Sequence, residues 1–414
     1  MAHADKGTIE LISPPCPLCD GRETEAVWRH PNGIVNGICT ACGHVHLSRR
    51  YPDQIIAESY QGYGQCYSDA FLADENNPLF AIAGKRCDFL SRHLPARHRR
   101  SVLEIGCGYG HFLKVIEGVN LKVGIEPSST QASFARSSFG LDTIREGTYE
   151  TSLPISDKGS KLSFDVVCSF HVIEHLVNPA HFIEQAREQL RPDGYLFLAL
   201  PNLFTLSPDL IELYFIYRNW HIHSFSPLTV TQLLEMNGFR IVSIEEEEPT
   251  AMLRSSFVVL AQRAERCNPE LSFSRTVEEN RHAANRFHQT LEDRLVNLRR
   301  AFGEWSRSGK RTAIYGGGIH TQALLDLTGI DIGSVKAIID DDPAKVGGDL
   351  SGIPIMPFSA ALRENIDVVV VSSLASEHFI LQRLESLQLP QNMVLKGIYR
   401  DYMNELSTGE RLRT

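Results

Sequence analysis

The segment VLEIGCGYG, residues 102–110, constrains the fold of this chain more than any other. An apolar strand runs into the alternating glycines Gly106, Gly108 and Gly110, which let the backbone turn tightly and approach a ligand closely. The next strand ends in GIEPS, which places Glu126 about 20 residues after Glu104, where a carboxylate can bind ribose hydroxyls. The two segments therefore predict a nucleoside-containing ligand at one edge of a parallel sheet.

The acidic residue before the glycines narrows the choice of ligand. A dinucleotide-binding turn has the pattern Gly-x-Gly-x-x-Gly beneath a pyrophosphate, whereas here the glycines alternate singly after Glu104. A zwitterionic ligand with an amino group suits that carboxylate better than a pyrophosphate does. The segments FDVVCSFHVIEHLVNP and LRPDGYLFLALPN follow in order. From about Phe80 to Ala261 the chain thus resembles the large family of S-adenosylmethionine-dependent methyltransferases.

This resemblance implies S-adenosylmethionine as the cofactor and assigns roles to individual residues. Glu104, Gly106, Gly108 and Gly110 would line its methionine and ribose part, and Glu126 would bind the ribose. Phe170 and His171 would lie near the sulfonium, and the adenine near residues 147–149.

Strand and helix signals alternate through most of the chain, as in a doubly wound α/β sheet. The 414 residues exceed what one core usually supports. We predict a zinc module with a tyrosine-bearing linker over 1–75, a Rossmann-like methyltransferase domain over 76–262, a helical connector over 263–308 and a second Rossmann-like domain over 309–414.

Two Cys-x-x-Cys pairs lie near the N-terminus, Cys16 with Cys19 and Cys39 with Cys42. This spacing is typical of a four-thiolate Zn²⁺ site, in which a closed shell of ligands organises a small fold and leaves no position for chemistry. His44 and His46 lie beside the second pair and could replace a ligand. The remaining cysteines have no paired spacing, and most are expected to be buried small apolar residues, namely Cys66, Cys87, Cys107, Cys168 and Cys267.

A second metal motif is less well supported by the sequence. His171, Glu174 and His175 form H-x-x-E-H, an inverted zinc-peptidase pattern. The pattern lies just after a buried strand inside a methyltransferase motif, and the sequence offers no evident third ligand. We therefore expect no metal there.

The segment NWHIHSFSPLTV contains the candidate catalytic residues His221 and His223. Methyl transfer is an in-line displacement, so the protein mainly aligns a nucleophile and removes its proton. Histidine suits the second task because its pKa lies near neutral pH. We expect His221 to be the base, with His223 as the other candidate.

Taken over almost its full length, the chain resembles the sugar C-methyltransferases that act on nucleotide-linked 4-keto deoxysugars. In that family a Glu-His pair precedes a Tyr-Phe-Ser or similar sequence, and the histidine removes the proton beside the ketone. His221 falls on that histidine, but Trp220 stands where the glutamate is expected. O- or N-methylation of a sugar or small natural product is therefore an open alternative, as is a non-catalytic, zinc-stabilised binding subunit. Tyr60, Tyr63 and Tyr67 are candidates for contact with the acceptor, although packing against the core would explain them equally well.

The C-terminal segment AIYGGGIHTQALL indicates another strand, glycine turn and helix. Asp340–Asp342 follow it, so a nicotinamide site is conceivable, but Thr321 occupies the third glycine position. In the related sugar methyltransferases this domain closes over the nucleotide-sugar. Gly318, Ile319 and His320 depart from the family's turn, whereas Glu377 can fill its later acidic position.

Charge and hydropathy indicate the environment and the partner. The net charge of −9 and the lack of a basic stripe argue against a nucleic-acid partner. No run approaches the length of a membrane span, and no signal peptide is evident, so we expect a cytoplasmic protein that acts on a small molecule. The oligomeric state is left open.

Overall fold

The computed structural model describes residues 9–30, 32–61, 68–98, 101–157, 159–206, 210–217, 220–250, 253, 255–265, 273–373, 376–387, 389–390 and 392–399. In chain order the strands are β1 Thr24–Arg29, β2 Val35–Cys39, β3 Val45–Arg49, β4 Ser101–Ile105, β5 Leu121–Glu126, β6 Ile144–Glu146, β7 Ser156–Asp157, β8 Ser160–Lys161, β9 Phe164–Phe170, β10 Leu190–Pro201, β11 His223–Ser224, β12 Phe239–Glu246, β13 Ser256–Arg263, β14 Thr312–Tyr315, β15 Val335–Ile339, β16 Asp349–Leu350, β17 Ile353–Met356, β18 Val368–Val371 and β19 Val394–Gly397. The α-helices are α1 Asp53–Gln61, α2 Asp69–Ala73, α3 Pro78–His93, α4 His111–Val115, α5 Ser129–Phe139, α6 Tyr149–Ser152, α7 Pro179–Gln189, α8 Leu210–Tyr217, α9 Pro227–Met236, α10 Phe273–Arg307, α11 Ile319–Thr328, α12 Phe358–Ala361 and α13 Glu377–Glu385.

The chain divides into two compact units, which are described separately. The first comprises residues 1–206 and 216–286, and the second 207–215 and 287–414. The predicted α/β class, with a central sheet and a second C-terminal sheet, is confirmed. No helix in the described part of the chain combines the length and apolar character needed to cross a membrane.

A seven-stranded sheet in the order β12-β13-β10-β9-β4-β5-β6 forms the centre of the first unit. Neighbouring strands from β10 to β6 are parallel, whereas β13 runs antiparallel to both β10 and β12. Every residue of β4 and β9 is buried, as expected for parallel strands covered on both faces. The carboxyl ends of β4, β5 and β9 therefore meet at one edge, which carries the predicted cofactor residues.

A four-stranded sheet in the order β1-β2-β3-β11 holds the cysteine-rich N-terminal module against the rest of this unit. Strand β11 comes from the candidate catalytic segment, and its His223 pairs with His46 of β3. Leu47 also donates its backbone N–H to Ile222 O at 3.0 Å. No motif in the sequence predicts this pairing, which builds the module and the catalytic segment into one sheet.

The turn after the second cysteine pair packs against the first turns of α10. Gly43 has φ +78°, and a Cβ there would lie 2.7 Å from the backbone nitrogen of Val277. Asn280 donates its side-chain amide to Gly43 O at 2.8 Å. This close packing of backbone on backbone requires glycine at position 43.

The second unit contains a six-stranded sheet in the order β16-β17-β15-β14-β18-β19. Its strands pair in parallel except for the short β16, which runs antiparallel to β17. Strands β14 and β18 are fully buried. This is the second strand-and-helix alternation that the glycine turn near Gly316 predicts.

Candidate functional site

The four cysteines of the N-terminal module converge on one point. Cys16 Sγ lies 3.6 Å from Cys42 Sγ, and Cys19 Sγ lies 3.6 Å from Cys39 Sγ. All four sulfurs lie within 4.8 Å of one another. Tetrahedral coordination with Zn–S bonds of about 2.3 Å places sulfurs about 3.8 Å apart, so the cluster fits a single Zn²⁺ ion.

The other candidates near this cluster have different surroundings. His44 Nε2 lies 3.0 Å from His223 Nδ1 and is not part of the cysteine cluster. Cys107 and Cys168 are buried, as expected, and Cys87 is half-buried. Cys66 and Cys267 lie outside the described residues.

The glycine turn after β4 adopts the conformation that its sequence predicts. Gly106, Gly108 and Gly110 have φ values of +75°, +53° and +83°, a region that favours glycine. A Cβ on Gly106 would lie 2.4 Å from Cγ2 of Val172, so the turn packs directly against the segment that follows β9.

Glu126 lies beside this turn at the end of β5. Its carboxylate accepts hydrogen bonds from the backbone N–H groups of Gly108 and Ser128, both at 2.8 Å. Burial raises its pKa despite these bonds. Gly147 donates its backbone N–H to Glu126 O at 3.0 Å. The segment predicted to contact the adenine therefore lies next to Glu126, the residue predicted to bind the ribose.

Glu104 supports a cofactor that carries an amino group. Its side chain is buried, and Oε2 has no hydrogen-bond partner among the described residues. Burial raises the pKa of Glu104 well above its ordinary value, while Arg86 opposes this rise. An ammonium group at this position would satisfy the orphaned acceptor and favour its ionised form, so the site fits the methionine part of S-adenosylmethionine.

Phe170 is the last residue of β9, and His171 follows it directly. Phe170 is buried and has the guanidinium of Arg86 4.4 Å from its ring centroid. His171 has φ +56°, and its Nδ1 lies 3.4 Å from Oε1 of Glu174. The positive φ turns the chain sharply at the end of the strand, where a ligand would be bound.

A buried ion pair lies behind Phe170 and has no signature in the sequence. Arg86 of α3 donates to both oxygens of Glu247, at 2.8 and 3.0 Å, and Ser256 Oγ donates to Glu247 Oε2 at 2.6 Å. Ser256 Oγ also lies 3.4 Å from His171 Nε2. No local motif marks this network, because its members come from distant segments.

Replacing Arg86 with alanine should lower the free energy of unfolding by about 3–5 kcal/mol, since Glu247 would remain buried without its partner. Urea unfolding measures this effect. Lys85→Ala is the matched control, because Lys85 pairs with Glu248 at the surface and its loss should barely change the free energy of unfolding. An equal decrease in the free energy of unfolding for the two variants would contradict a structural role for the buried pair.

Replacing Gly106 with alanine should weaken S-adenosylmethionine binding about 100-fold, or about 2.7 kcal/mol. The new Cβ would meet Val172 and impose left-handed strain on the cofactor turn. Calorimetric titration measures the affinity. Gly118→Ala is the control, since Gly118 has φ +71° but open space around it, and it should bind the cofactor normally. Unchanged affinity in Gly106→Ala would refute the assignment of this turn.

His221 lies in a second cluster, with Glu174 and His175. One ligand atom of each residue lies within 4.8 Å of the other two. The rings of His175 and His221 have centroids 4.9 Å apart. The structure thus supplies a third group next to the H-x-x-E-H motif, which the sequence does not reveal, because His221 belongs to a segment far downstream.

His223 is committed to hydrogen bonds on both sides of its ring. Nε2 donates to Leu176 O at 2.8 Å, and Nδ1 then accepts from His44 Nε2 at 3.0 Å. Burial lowers its pKa to about 3. Neither ring nitrogen is left to take a proton from a substrate, so this geometry does not suit His223 as the base.

Acid should destabilise the protein through His223. Its imidazole stays neutral in the folded state, whereas in the unfolded chain it takes up a proton below about pH 6.5. Its contribution to stability is therefore complete above this pH and falls by about 1.4 kcal/mol per pH unit as the pH drops toward 3. Urea unfolding across this range should show a shallower pH dependence in His223→Gln, and an identical slope would contradict the prediction.

The tyrosine candidates cannot be placed beside this site. Tyr60 lies in α1, but its side chain is outside the described residues, as are Tyr63 and Tyr67. Their contact with an acceptor stays a prediction.

A cavity of about 370 Å³ lies elsewhere in the first unit. The residues that line it include Pro14–Leu18, His46, Arg50, Ile222 and His223. No residue of the glycine turn lines it. It is therefore separate from the predicted nucleoside site.

The glycine turn of the second unit makes mainly internal contacts. Gly317 donates its backbone N–H to Asp340 Oδ2 at 2.7 Å, and Tyr315 donates its hydroxyl to Asp341. Both oxygens of Glu377 face the backbone N–H of Tyr399, at 2.8 and 3.1 Å. Asp340, Asp341 and Glu377, which the sequence suggests as ligand-binding residues of this domain, thus accept hydrogen bonds from within the domain.

Two family models match successive parts of the chain. Residues 80–244 match a methyltransferase domain, and residues 256–391 match a C-methyltransferase C-terminal domain.

Individual relatives match the first of these regions. A probable S-adenosylmethionine-dependent methyltransferase from Mycolicibacterium smegmatis is 33% identical over 143 residues, which cover 34% of this chain and 52% of the relative. A tRNA U34 carboxymethyltransferase from Aeromonas hydrophila is 33% identical over 168 residues, which cover 38% of this chain and 50% of the relative. The chain spans about half the length of these curated relatives.

Among solved structures, an S-adenosylmethionine-dependent methyltransferase from Listeria monocytogenes aligns with a TM-score of 0.35 and 18% identity, covering 44% of this chain and 100% of that one. The family matches agree with the glycine turn, the buried Glu104 and the position of Glu126. Residues 80–244 are therefore similar to methyltransferase domains, including S-adenosylmethionine-dependent ones, and residues 256–391 are similar to the C-terminal domains of C-methyltransferases.

Proposed function

We propose that this protein transfers a methyl group from S-adenosylmethionine to a nucleotide-linked keto sugar, at the carbon beside the ketone. The observation that carries the proposal is the order of domains, because a domain typical of C-methyltransferases directly follows the methyltransferase domain. The N-terminal module, with its four-cysteine cluster, matches the architecture of the sugar enzymes that the sequence resembles.

Different residues bind the cofactor and remove the proton of the acceptor. S-adenosylmethionine supplies an electrophilic methyl group when bound. Glu104 and the glycine turn would hold its methionine part, and Glu126 would hold its ribose. His221 would remove the proton from the carbon beside the ketone, so that this carbon could take, in line, the methyl group that the cofactor supplies.

O-methylation is the second candidate, because Trp220 replaces the glutamate of the sugar C-methyltransferases. A hydroxyl proton is easier to remove than one on carbon and places less demand on the base. A nucleic-acid acceptor, such as the tRNA of the Aeromonas carboxymethyltransferase, is disfavoured here by the net charge of −9.

The test is a reaction with S-adenosylmethionine carrying a ¹³C-labelled methyl group and a panel of nucleotide-linked 4-keto deoxysugars. We expect a mass gain of one methyl group and an NMR correlation from the labelled methyl to a sugar carbon. A correlation across oxygen or nitrogen would establish the alternative chemistry. Cofactor binding without any product across sugars and small natural products would indicate a non-catalytic subunit and refute the proposal.

A further inference from the structure

Glu174 is a buried carboxylate with histidines as its polar neighbours. Only 1% of its side chain is exposed, and neither oxygen makes a well-formed hydrogen bond within the described part of the chain. Oε1 lies 3.4 Å from His171 Nδ1 and 3.8 Å from His175 Nε2. The third histidine of the group is His221.

The charge of this carboxylate depends on those rings. Burial alone raises its pKa, but His175, His171 and His221 together lower the pKa of Glu174 to about 2. A buried anion is stable only with a positive partner, and a histidine is positive only while it holds a second proton. Burial lowers the pKa of His175 to about 4 although Glu174 opposes this, so His175 is neutral near pH 7 and a proton taken up by the cluster would lie on another ring.

Backbone contacts hold His221 in place beside Glu174. Ile222 donates its N–H to Glu174 O at 3.0 Å, and His175 Nδ1 donates to Trp220 O. These two hydrogen bonds fix the backbone of Trp220 and Ile222, the residues on either side of His221. Val172, in the same short segment, packs against Gly106 of the cofactor turn. One turn of chain thus connects the cofactor site to the candidate base.

We propose that Glu174 is the positioning residue of His221. The inference rests on the proposed function, in which His221 accepts the proton of the acceptor. When that proton moves to the ring, the resulting imidazolium and the Glu174 carboxylate form a neutral pair, as in a catalytic triad. Glu174 does not itself become protonated. His175 shares the role of orienting the ring, and His171 and His223 are the other titratable groups that face the cluster.

A bound divalent cation would use the same three groups, whose ligand atoms lie within 4.8 Å of one another. Metal content therefore distinguishes a cation site from a pair that takes up a proton.

The decisive measurement is NMR titration of ring-labelled histidine in the zinc-loaded protein. In Glu174→Gln the pKa of His221 should fall by about one unit or more, because its anionic partner is removed. Glu174→Asp keeps the negative charge and should fold even if Glu174→Gln does not. In this variant the pKa of His221 should stay close to its wild-type value. Glu188→Gln, an exposed substitution on α7, should leave it unchanged. An unchanged His221 titration in both Glu174 variants would overturn the proposal.

Kinetics and metal content complete the test. Glu174→Gln should lower kcat by about 100-fold, with little change in KM for the acceptor, and should shift the acidic limb of the pH profile. A second metal ion per chain that disappears in Glu174→Gln would overturn the proposal in favour of a cation site. The titration needs no acceptor, so a shifted His221 pKa with no methylated sugar would uphold the pairing while refuting the proposed acceptor.

Discussion

His221→Ala is expected to lower kcat of methyl transfer by about 10²–10⁴-fold while leaving S-adenosylmethionine affinity within about threefold of wild type. The side chain is buried beside Glu174 and His175, whereas the proposed cofactor contacts come from the turn after β4 and the end of β5. Removing the ring should therefore remove the base and spare cofactor binding. Single-turnover kinetics and calorimetric titration measure the two quantities.

His223→Ala is the matched control for this experiment. Its ring connects Leu176 O to His44, so its loss should lower the free energy of unfolding. The protein that remains folded should still be active. The expected pattern is an inactive, stable His221 variant and an active, less stable His223 variant. Near-normal turnover in His221→Ala would show that this residue is not the base.

Cys16→Ser should release zinc and unfold the N-terminal module. A structural Zn²⁺ site contributes about 10–16 kcal/mol in small zinc domains, which matches or exceeds the total stability of a typical domain. Strand β3 of the module pairs with β11, so unfolding it should also displace the segment that carries His221. We expect loss of the cysteine-bound zinc ion, a lower Tm and loss of activity together.

Metal analysis, thermal unfolding and activity on the same samples check this result. Cys87→Ser is the control, because Cys87 is half-buried on α3 and lies outside the four-cysteine cluster. It should keep its zinc and its activity. A Cys16→Ser protein with wild-type zinc content and Tm would show that the cluster is not a structural zinc site.

The features that could be predicted from sequence are those whose parts lie close together along the chain. The Cys-x-x-Cys pairs form knuckles because two residues between thiols allow both sulfurs to face one ion. The glycine turn has positive φ at Gly106, Gly108 and Gly110 because the strand must reverse tightly beneath a ligand. Burial of β4 and β9 likewise follows from their continuous apolar sequence.

The features that could not be predicted join distant segments. Arg86 meets Glu247, and β3 meets β11, through packing that no short pattern encodes. The H-x-x-E-H motif shows the same limit. Its local spacing suggests His171, Glu174 and His175 as a set, whereas the folded chain brings His221 to Glu174 and His175.

The glycine turn and the cysteine pairs are thus enough to predict the methyltransferase class and the four-sulfur cluster, since the geometry of each depends on only a few successive residues. The surroundings of His221 and His223 depend on the fold. The two histidines are nearly adjacent in sequence, yet pairing with β3 commits His223 to hydrogen bonds on both ring nitrogens, while the turn after β9 brings His221 to a buried carboxylate. Tertiary packing sets this difference, because it determines which distant groups surround each ring.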